Sequence, residues 1–310
     1  MSIDLSIIVI SYNTRDITLS CLSSIYESDP ICTAEVIVVD NASEDSSADL
    51  IESQFPSVML IRNESNLGFA AANNQAFEIA TGRYLLLLNS DTVVLGDVLD
   101  RSVQFMDARI EVGVLGCRVL NPDKTMQSTC FMFPSLLNVI LMTTGLSKLP
   151  WPRFLGRADM KHWKRDSERD VDVVTGCYMM VRREAMEEVG RLDDSFFFCG
   201  EETDWCYRFK KADWRVVFSP VGEIIHIGNA SGRRFEAKRD LMLTQGIIRF
   251  LKKQRGQATA ATAYLLLAIF NLSRAGYWQI TAVITRSDKS LQRANHFIKV
   301  CKGYKSAWPS

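Results

Sequence analysis

The chain lacks both of the glycine-rich turns that most often mark a phosphate site. After the first apolar run, where a dinucleotide fold needs GxGxxG, it has Ser11-Tyr12-Asn13-Thr14-Arg15-Asp16, and no GxxxxGK[ST] loop occurs anywhere. This excludes Rossmann-type dinucleotide binding and P-loop chemistry. Paired cysteines are also missing. The eight cysteines (Cys21, Cys32, Cys117, Cys130, Cys177, Cys199, Cys206, Cys301) contain no CxxC, so their spacing offers no zinc framework. Set among apolar residues, they read as reduced thiols in a cytosolic protein. Met1-Ser2-Ile3-Asp4 enters an apolar run with no basic region before it, so no secretory signal is expected. Net charge is absent too, but only as a sum. Residues 251–310 carry ten Lys/Arg and one acid, Asp288, or +9, which leaves 26 basic and 35 acidic groups, or −9, in the first 250 residues. An acidic body with a basic tail points to an anionic surface as the tail's partner. No nucleic-acid partner is expected.

What is present suffices for a sizeable core: 310 residues, 47% hydrophobic, enough for one large domain with an appendage or for two domains. The first ninety residues alternate strand and helix. Strands are expected over Leu5–Ile10, Glu35–Val39, Val58–Ile61 and Arg83–Leu88. Helices are expected over Asp16–Tyr26, Ala42–Phe55 (with Ser43 as its N-cap) and Gly68–Ala80. That order implies an α/β fold with a mostly parallel central sheet flanked by helices. Further on, helices are expected at Val98–Met106, Glu202–Ala212 and Arg234–Lys253. Strands are expected at Val112–Leu120, Val171–Val181 and Arg215–Phe218. The aromatic, proline-interrupted stretch at about 131–165 reads as a mobile or membrane-facing insertion into a domain spanning 1–250. Residues 251–310 read as a basic amphipathic helical tail. Gly256–Ser273 has no charge over 18 residues, and its polar residues favour helices lying on the cytoplasmic leaflet over a span. A helical cap or homodimer contact is the other use of such a tail.

Four expected strands end in polar residues: Ser11-Tyr12-Asn13, Asp40-Asn41, Asn63 to Gly68, and Asn89-Ser90-Asp91. In a parallel sheet these ends share one edge, where open α/β folds bind ligands. Tyr12 can stack on a base, and Asp40 can accept from a ring N–H. Asn66-Leu67-Gly68 opens a helix whose first amides suit a phosphate. Asp91, at the end of the run Tyr84-Leu85-Leu86-Leu87-Leu88, can hold a hard cation and through it a diphosphate.

These segments, Ser6 to Asn13, Val38 to Ser43, Asn66 to Ala70 with Asn73-Asn74, and Leu88 to Asp91, resemble the family-2 inverting glycosyltransferases of the GT-A fold. The likeness is to bacterial rhamnosyltransferase-type members. It continues through Thr175-Gly176-Cys177, Phe196 to Phe198 with Glu201-Glu202-Thr203-Asp204, and His226 to Ser231. The resemblance implies donor contacts from Ser11, Tyr12, Asn13, Asp40, Asn41, Asn66, Gly68 and Asn73, with Arg233 and Arg234 as a phosphate clamp. It sets Asn89-Ser90-Asp91 where the family carries DxD, so Asp91, with His226, would hold Mg2+ or Mn2+. Asn89 leaves that motif one carboxylate. The acidic motif implies Glu202 as general base, with Glu201 and Asp204 as alternatives, taking the proton from an acceptor hydroxyl. The implied reaction moves a sugar, rhamnose from dTDP-rhamnose, from a nucleotide diphosphate sugar. The acceptor would be a glycan or polyprenyl-diphosphate-linked molecule at the cytoplasmic face of the membrane, with Arg153 and Arg157 near its diphosphate. A sugar-nucleotide nucleotidyltransferase and a catalytically impaired nucleotide-binding scaffold are the alternatives.

Overall fold

Ile, Val and Leu fill the strands on both faces, as a sheet covered on both sides requires. The computed structural model describes residues 2–228 and 237–309, so Arg233 and Arg234 lie outside the described residues. The strands are β1 Leu5–Ser11, β2 Ala34–Asp40, β3 Met59–Arg62, β4 Tyr84–Asn89, β5 Thr92–Val94, β6 Val112–Leu120, β7 Cys130–Phe131, β8 Arg169–Asp170, β9 Val173–Val174, β10 Tyr178–Arg182 and β11 Arg215–His226. The helices are α1 Arg15–Glu27, α2 Ser47–Gln54, α3 Phe69–Ile79, α4 Val98–Asp107, α5 Leu136–Thr143, α6 Arg183–Val189, α7 Glu201–Lys211, α8 Ala237–Arg255, α9 Gln257–Thr285 and α10 Asp288–Gly303.

The main sheet runs β3-β2-β1-β4-β10-β6-β11-β5, with β8 on β11. β1 to β4 are mutually parallel, as expected. Beyond β4 the sheet is mixed, because β10 is antiparallel to both β4 and β6 and β5 is antiparallel to β11. Ile7, Val9, Val38, Leu86 and Leu88 pack with α1 and α4 residues in one continuous core. Ala70, Ala72 and Ala76 of α3 are fully buried, and their small side chains let that helix approach β1 and β2 closely. Each fully buried Leu, Ile or Val contributes about 1.5–3 kcal/mol by leaving water.

Three expected elements came out differently. The helix expected from Ala42 begins at Ser47. Ala42 and Ser46 have positive φ, and Asp40 and Asp45 accept from the amides of Ser43 and Ser47, so the intervening residues form a turn. Val171–Val181 is two strands, split where Thr175-Gly176-Cys177 turns and Gly176 abuts the Phe69 ring. The strand expected to end at Phe218 continues to His226 past an irregularity between Phe218 and Glu223. Pro220 hid that continuation, and Gly222 permits it, since a Cβ there would lie 2.6 Å from Val98.

The chain divides into two compact units: 1–132, 163–197 and 201–230; and 133–162, 198–200 and 231–310. The second unit is helical. In it α9 packs on α8, α10 and α5, Phe133 stacks on Phe250, and the buried His296 hydrogen-bonds Asp240 at 2.9 Å. α9 is long and apolar enough to cross a membrane by length and composition.

Candidate active site

The ends of β1, β2 and β4 are level. Ser11 pairs with Asp40 across β1 and β2, and Ile10 with Asn89 across β1 and β4. The loops leaving these ends are tied together. The Asn13 amide donates to Ser43 Oγ at 2.9 Å, and Asn13 Oδ1 accepts from the Glu44 amide at 2.8 Å. Ser11, Thr14 and Thr18 share hydroxyl hydrogen bonds, and Thr14 reaches Ser90 at 3.4 Å. Tyr12 projects from this edge about half exposed, free to stack on a planar ligand.

Asn41 organises the third strand end. Its Nδ2 donates to Asn66 Oδ1 and to Gly68 O, while its Oδ1 accepts from Asn63 Nδ2 and the Leu67 amide. Those bonds set the 63–68 loop against the start of α3. Gly68 there has φ +85°, and a Cβ would lie 2.4 Å from Phe197 O, so the loop needs glycine. Two acceptors nearby are buried without a hydrogen-bond partner: Asp40 Oδ1 and Asn73 Oδ1. Their residues are 3% and 0% exposed. Asp40 uses Oδ2 for the Ser43 amide, and Asn73 uses Nδ2 for Phe69 O. A buried, unsatisfied acceptor costs about 1–3 kcal/mol.

Asp91 and His226 are 135 positions apart in sequence and meet through strand pairing. β5 begins just after Asp91, its Thr92 pairs with His226, and the Ile227 amide donates to Asp91 O at 2.8 Å. His226 Nε2 lies 3.1 Å from Asp91 Oδ1 and 3.3 Å from Asn89 Nδ2. His226 Nδ1 faces Gln127 Oε1 at 2.8 Å. Among the described residues no cluster of three His, Cys, Asp or Glu side chains converges. One carboxylate with one imidazole still fits Mg2+ or Mn2+, ions held by one or two protein groups when substrate phosphates complete the coordination.

The acidic motif opens α7, where carboxylates suit the helix N-terminus. Its three carboxylates are placed differently. Glu201 is 3% and Asp204 0% exposed, whereas Glu202 is half-buried. Asp204 accepts from Arg208 Nε at 3.0 Å, and the same guanidinium donates to Val189 O, Gly190 O and Arg191 O. Trp205 is core, its Nε1 donating to Gly190 O. The Cys177 thiol is pushed up to about 11, first by burial, and both Asp91 and Glu202 raise it further. Both carboxylates thus bear electrostatically on one buried sulfur. Burial likewise pushes Cys130 and Cys206 up to about 12, so these thiols are inert at neutral pH.

Gln127 and Cys177 are the residues that reading the sequence for roles had missed. Cys177 lay within the Thr175-Gly176-Cys177 motif, but nothing marked it as a buried thiol on which both Asp91 and Glu202 bear. Gln127 had no signal.

A parallel half-sheet ending in a polar edge, joined to a mixed half that brings a carboxylate, an imidazole and an acidic helix start, is the plan of the GT-A glycosyltransferases. Over 98% of this chain and 88% of the other, the fold matches the mannosyltransferase PcManGT of Pyrobaculum calidifontis, solved with GDP-Man and Mn2+, at a TM-score of 0.58 and 16% identity. The sequence profile of Glycosyl transferase family 2 matches residues 6–190, and the chain belongs to that family. It is 27% identical over 203 residues to the N-acetylglucosaminyl-diphospho-decaprenol L-rhamnosyltransferase of Mycobacterium tuberculosis, covering 62% of this chain and 66% of that one. It is 26% identical over 245 residues to the low-salt glycan biosynthesis hexosyltransferase Agl10 of Haloferax volcanii, covering 77% of this chain and 72% of that one. The chain thus spans just under two thirds of the mycobacterial relative. Membership of this family disfavours the nucleotidyltransferase reading.

Proposed function

We propose that this chain is an inverting glycosyltransferase that moves a sugar, rhamnose from dTDP-rhamnose, onto a lipid-linked or growing cell-surface glycan. The observation that carries the reading is the meeting of Asp91 and His226, 3.1 Å apart, beside the level ends of β1, β2 and β4. Inversion needs a base on the acceptor side and charge compensation on the diphosphate side, roles this reading gives to Glu202 and to a cation held by Asp91 and His226. Tyr12 stacks on the donor base while Asp40 Oδ1 accepts the ring N–H of a pyrimidine, a role supported by its burial without a partner. Ser11, Asn13 and Asn41 hold the loops around the base, and Asn66, Gly68 and Asn73 line the sugar-nucleotide side. Asp91 and His226 would hold Mg2+ or Mn2+, which when bound offsets charge on the departing diphosphate. Glu202 removes the proton from the acceptor hydroxyl as that oxygen attacks the anomeric carbon. Arg233 and Arg234 are assigned to the phosphates from their place in the sequence.

The acceptor side of the proposal rests on the relatives, one named for a decaprenol-linked substrate. The apolar face of α9, with Ile280, Val283 and Ile284 each at least 64% exposed, and the +9 tail suit peripheral binding to the anionic cytoplasmic leaflet. A panel of dTDP-, UDP- and GDP-sugars, each with Mg2+ or Mn2+, tests the reading. One donor should raise the melting temperature and be slowly hydrolysed. Neither effect with any member would overturn the proposal.

A further inference from the structure

We propose that Gln127 is a positioning residue. It fixes the tautomer of His226, and a short polar relay from the surface fixes Gln127 in turn. The inference rests on the reading of Asp91 and His226 as the metal-holding pair and extends it to residues that touch neither metal nor substrate.

The relay begins at Asp123, whose carboxylate can only accept. It sits below its ordinary value, chiefly through the hydrogen bond from Thr125, and is ionised at neutral pH. The Thr125 hydroxyl donates to Asp123 Oδ1, so its lone pair accepts from Asn121 Nδ2 at 2.8 Å. Asn121 therefore presents Oδ1 to Gln127 Nε2 at 2.9 Å. The same Nε2 donates to His226 O at 3.0 Å, another obligate acceptor. Both amide hydrogens of Gln127 are thereby spent, and only Oε1 remains to face His226 Nδ1 at 2.8 Å. Nδ1 must carry a hydrogen to make that bond. In the neutral ring the lone pair then lies on Nε2, the atom beside Asp91 Oδ1. Asn89 Nδ2 also lies beside Nε2 and can donate to that lone pair. Nε2 and Asp91 Oδ1, 3.1 Å apart, then need a proton or a metal ion between them, and the relay keeps Nε2 as the ring atom available to either.

The local fold explains how Gln127 arrives. After β6 the chain turns at 121–125, where Lys124 has φ +64° and the Asn121 amide donates to Thr125 O. The Gln127 amide then donates to Val119 O, returning the chain alongside β6. β11 runs parallel to β6, with Ile225 opposite Leu120. That puts position 127 next to 226.

The test is Mn2+ affinity by electron paramagnetic resonance, with dTDP or UDP present, together with long-range 1H–15N spectra of the His226 ring without metal. Gln127→Met removes the acceptor at similar volume. It should weaken Mn2+ binding about tenfold or more and shift the ring toward the Nε2–H form. Gln127→Glu keeps an acceptor toward Nδ1 but sets a carboxylate oxygen against His226 O, so the Nδ1–H form should persist while affinity is only partly restored. Thr125→Val, in the exposed turn, should shift the tautomer in the same sense by less. If Asp91→Asn and His226→Ala leave Mn2+ affinity unchanged, the metal-pair reading fails. If those two weaken it while Gln127→Met changes neither affinity nor tautomer, the relay is overturned and the pair stands.

Discussion

Replacing Asp204 and Glu202 in turn separates a structural carboxylate from a catalytic one. Asp204 is fully buried, and its partner Arg208 has a side chain 22% exposed, with Nε and Oδ2 3.0 Å apart. The guanidinium also holds the carbonyls of residues 189–191 at 2.6–3.1 Å, the segment that closes α6. Asp204→Ala leaves that cation without its counter-charge. Breaking a buried pair costs about 3–5 kcal/mol, and water reaching the exposed fifth of Arg208 brings the expectation down to about 2–4 kcal/mol. At about 2–4 °C per kcal/mol for a domain of roughly 150–250 residues, the melting temperature should fall by about 5–15 °C. Turnover by the remaining folded enzyme, measured well below that melting point, should stay within about tenfold of wild type. Glu202→Gln is isosteric and half-buried and should melt within about 2 °C of wild type. It should lose about 100- to 10,000-fold in kcat with the donor KM unchanged. Differential scanning fluorimetry and initial rates on the same preparations read both. An Asp204→Ala protein that melts normally but does not turn over would transfer the base role to Asp204. Near-normal turnover in Glu202→Gln would remove Glu202 from it.

Gly68→Ala forces a side chain into positive φ and against Phe197 O; strain of about 1–3 kcal/mol plus overpacking should lower both melting temperature and donor affinity, and a variant that melts and binds normally would refute the tight approach. Asp107 sits below its ordinary value of 3.8, chiefly through its hydrogen bond from Arg83 and with help from Tyr84. Its folded value lies below its unfolded one, so its contribution is complete above about pH 4 and is lost as pH falls through the folded value. The urea midpoint should therefore drop less between pH 5 and pH 3 in Asp107→Asn than in wild type, and equal drops would refute the linkage. Replacing Ile280, Val283 and Ile284 together with serine should weaken binding to phosphatidylglycerol vesicles by about tenfold or more without changing donor hydrolysis; unchanged co-sedimentation would dismiss the α9 face as a membrane contact.

The half of the candidate site formed by the ends of β1, β2 and β4 was legible in the sequence because each of its residues ends its own apolar run. Ser11, Asp40 and Asn89 follow Ile, Val and Leu stretches whose burial dictates parallel strands, and parallel strands put their carboxyl ends on one edge. The α7 motif was legible for a related reason, since acids at a helix start followed by Trp205, Cys206 and Phe209 mark both the terminus and the buried face. The turn at 42–46 was not, because Ser43 reads as an N-cap until Asp40 and Asp45 are seen to take the local amides. Nor was the length of β11, because a proline and a glycine in mid-strand usually mean its end, and here they mean a bulge over α4.

The other half of the site depends on pairings that no local pattern announces. His226 meets Asp91 only because β11 continues past its bulge to lie against β5. Gln127 meets His226 only because the 121–125 turn returns the chain beside β6. This bears on Asn89, which on sequence reads only as a missing ligand. In the fold its Nδ2 sits 3.3 Å from His226 Nε2, where an aspartate would add a third acceptor beside Nε2 and Asp91 Oδ1. An amide supplies a donor there and leaves the imidazole in the tautomer that Gln127 imposes. The loss of one carboxylate and the presence of the Gln127 relay are thus parts of one arrangement, in which an oriented histidine stands beside a single aspartate.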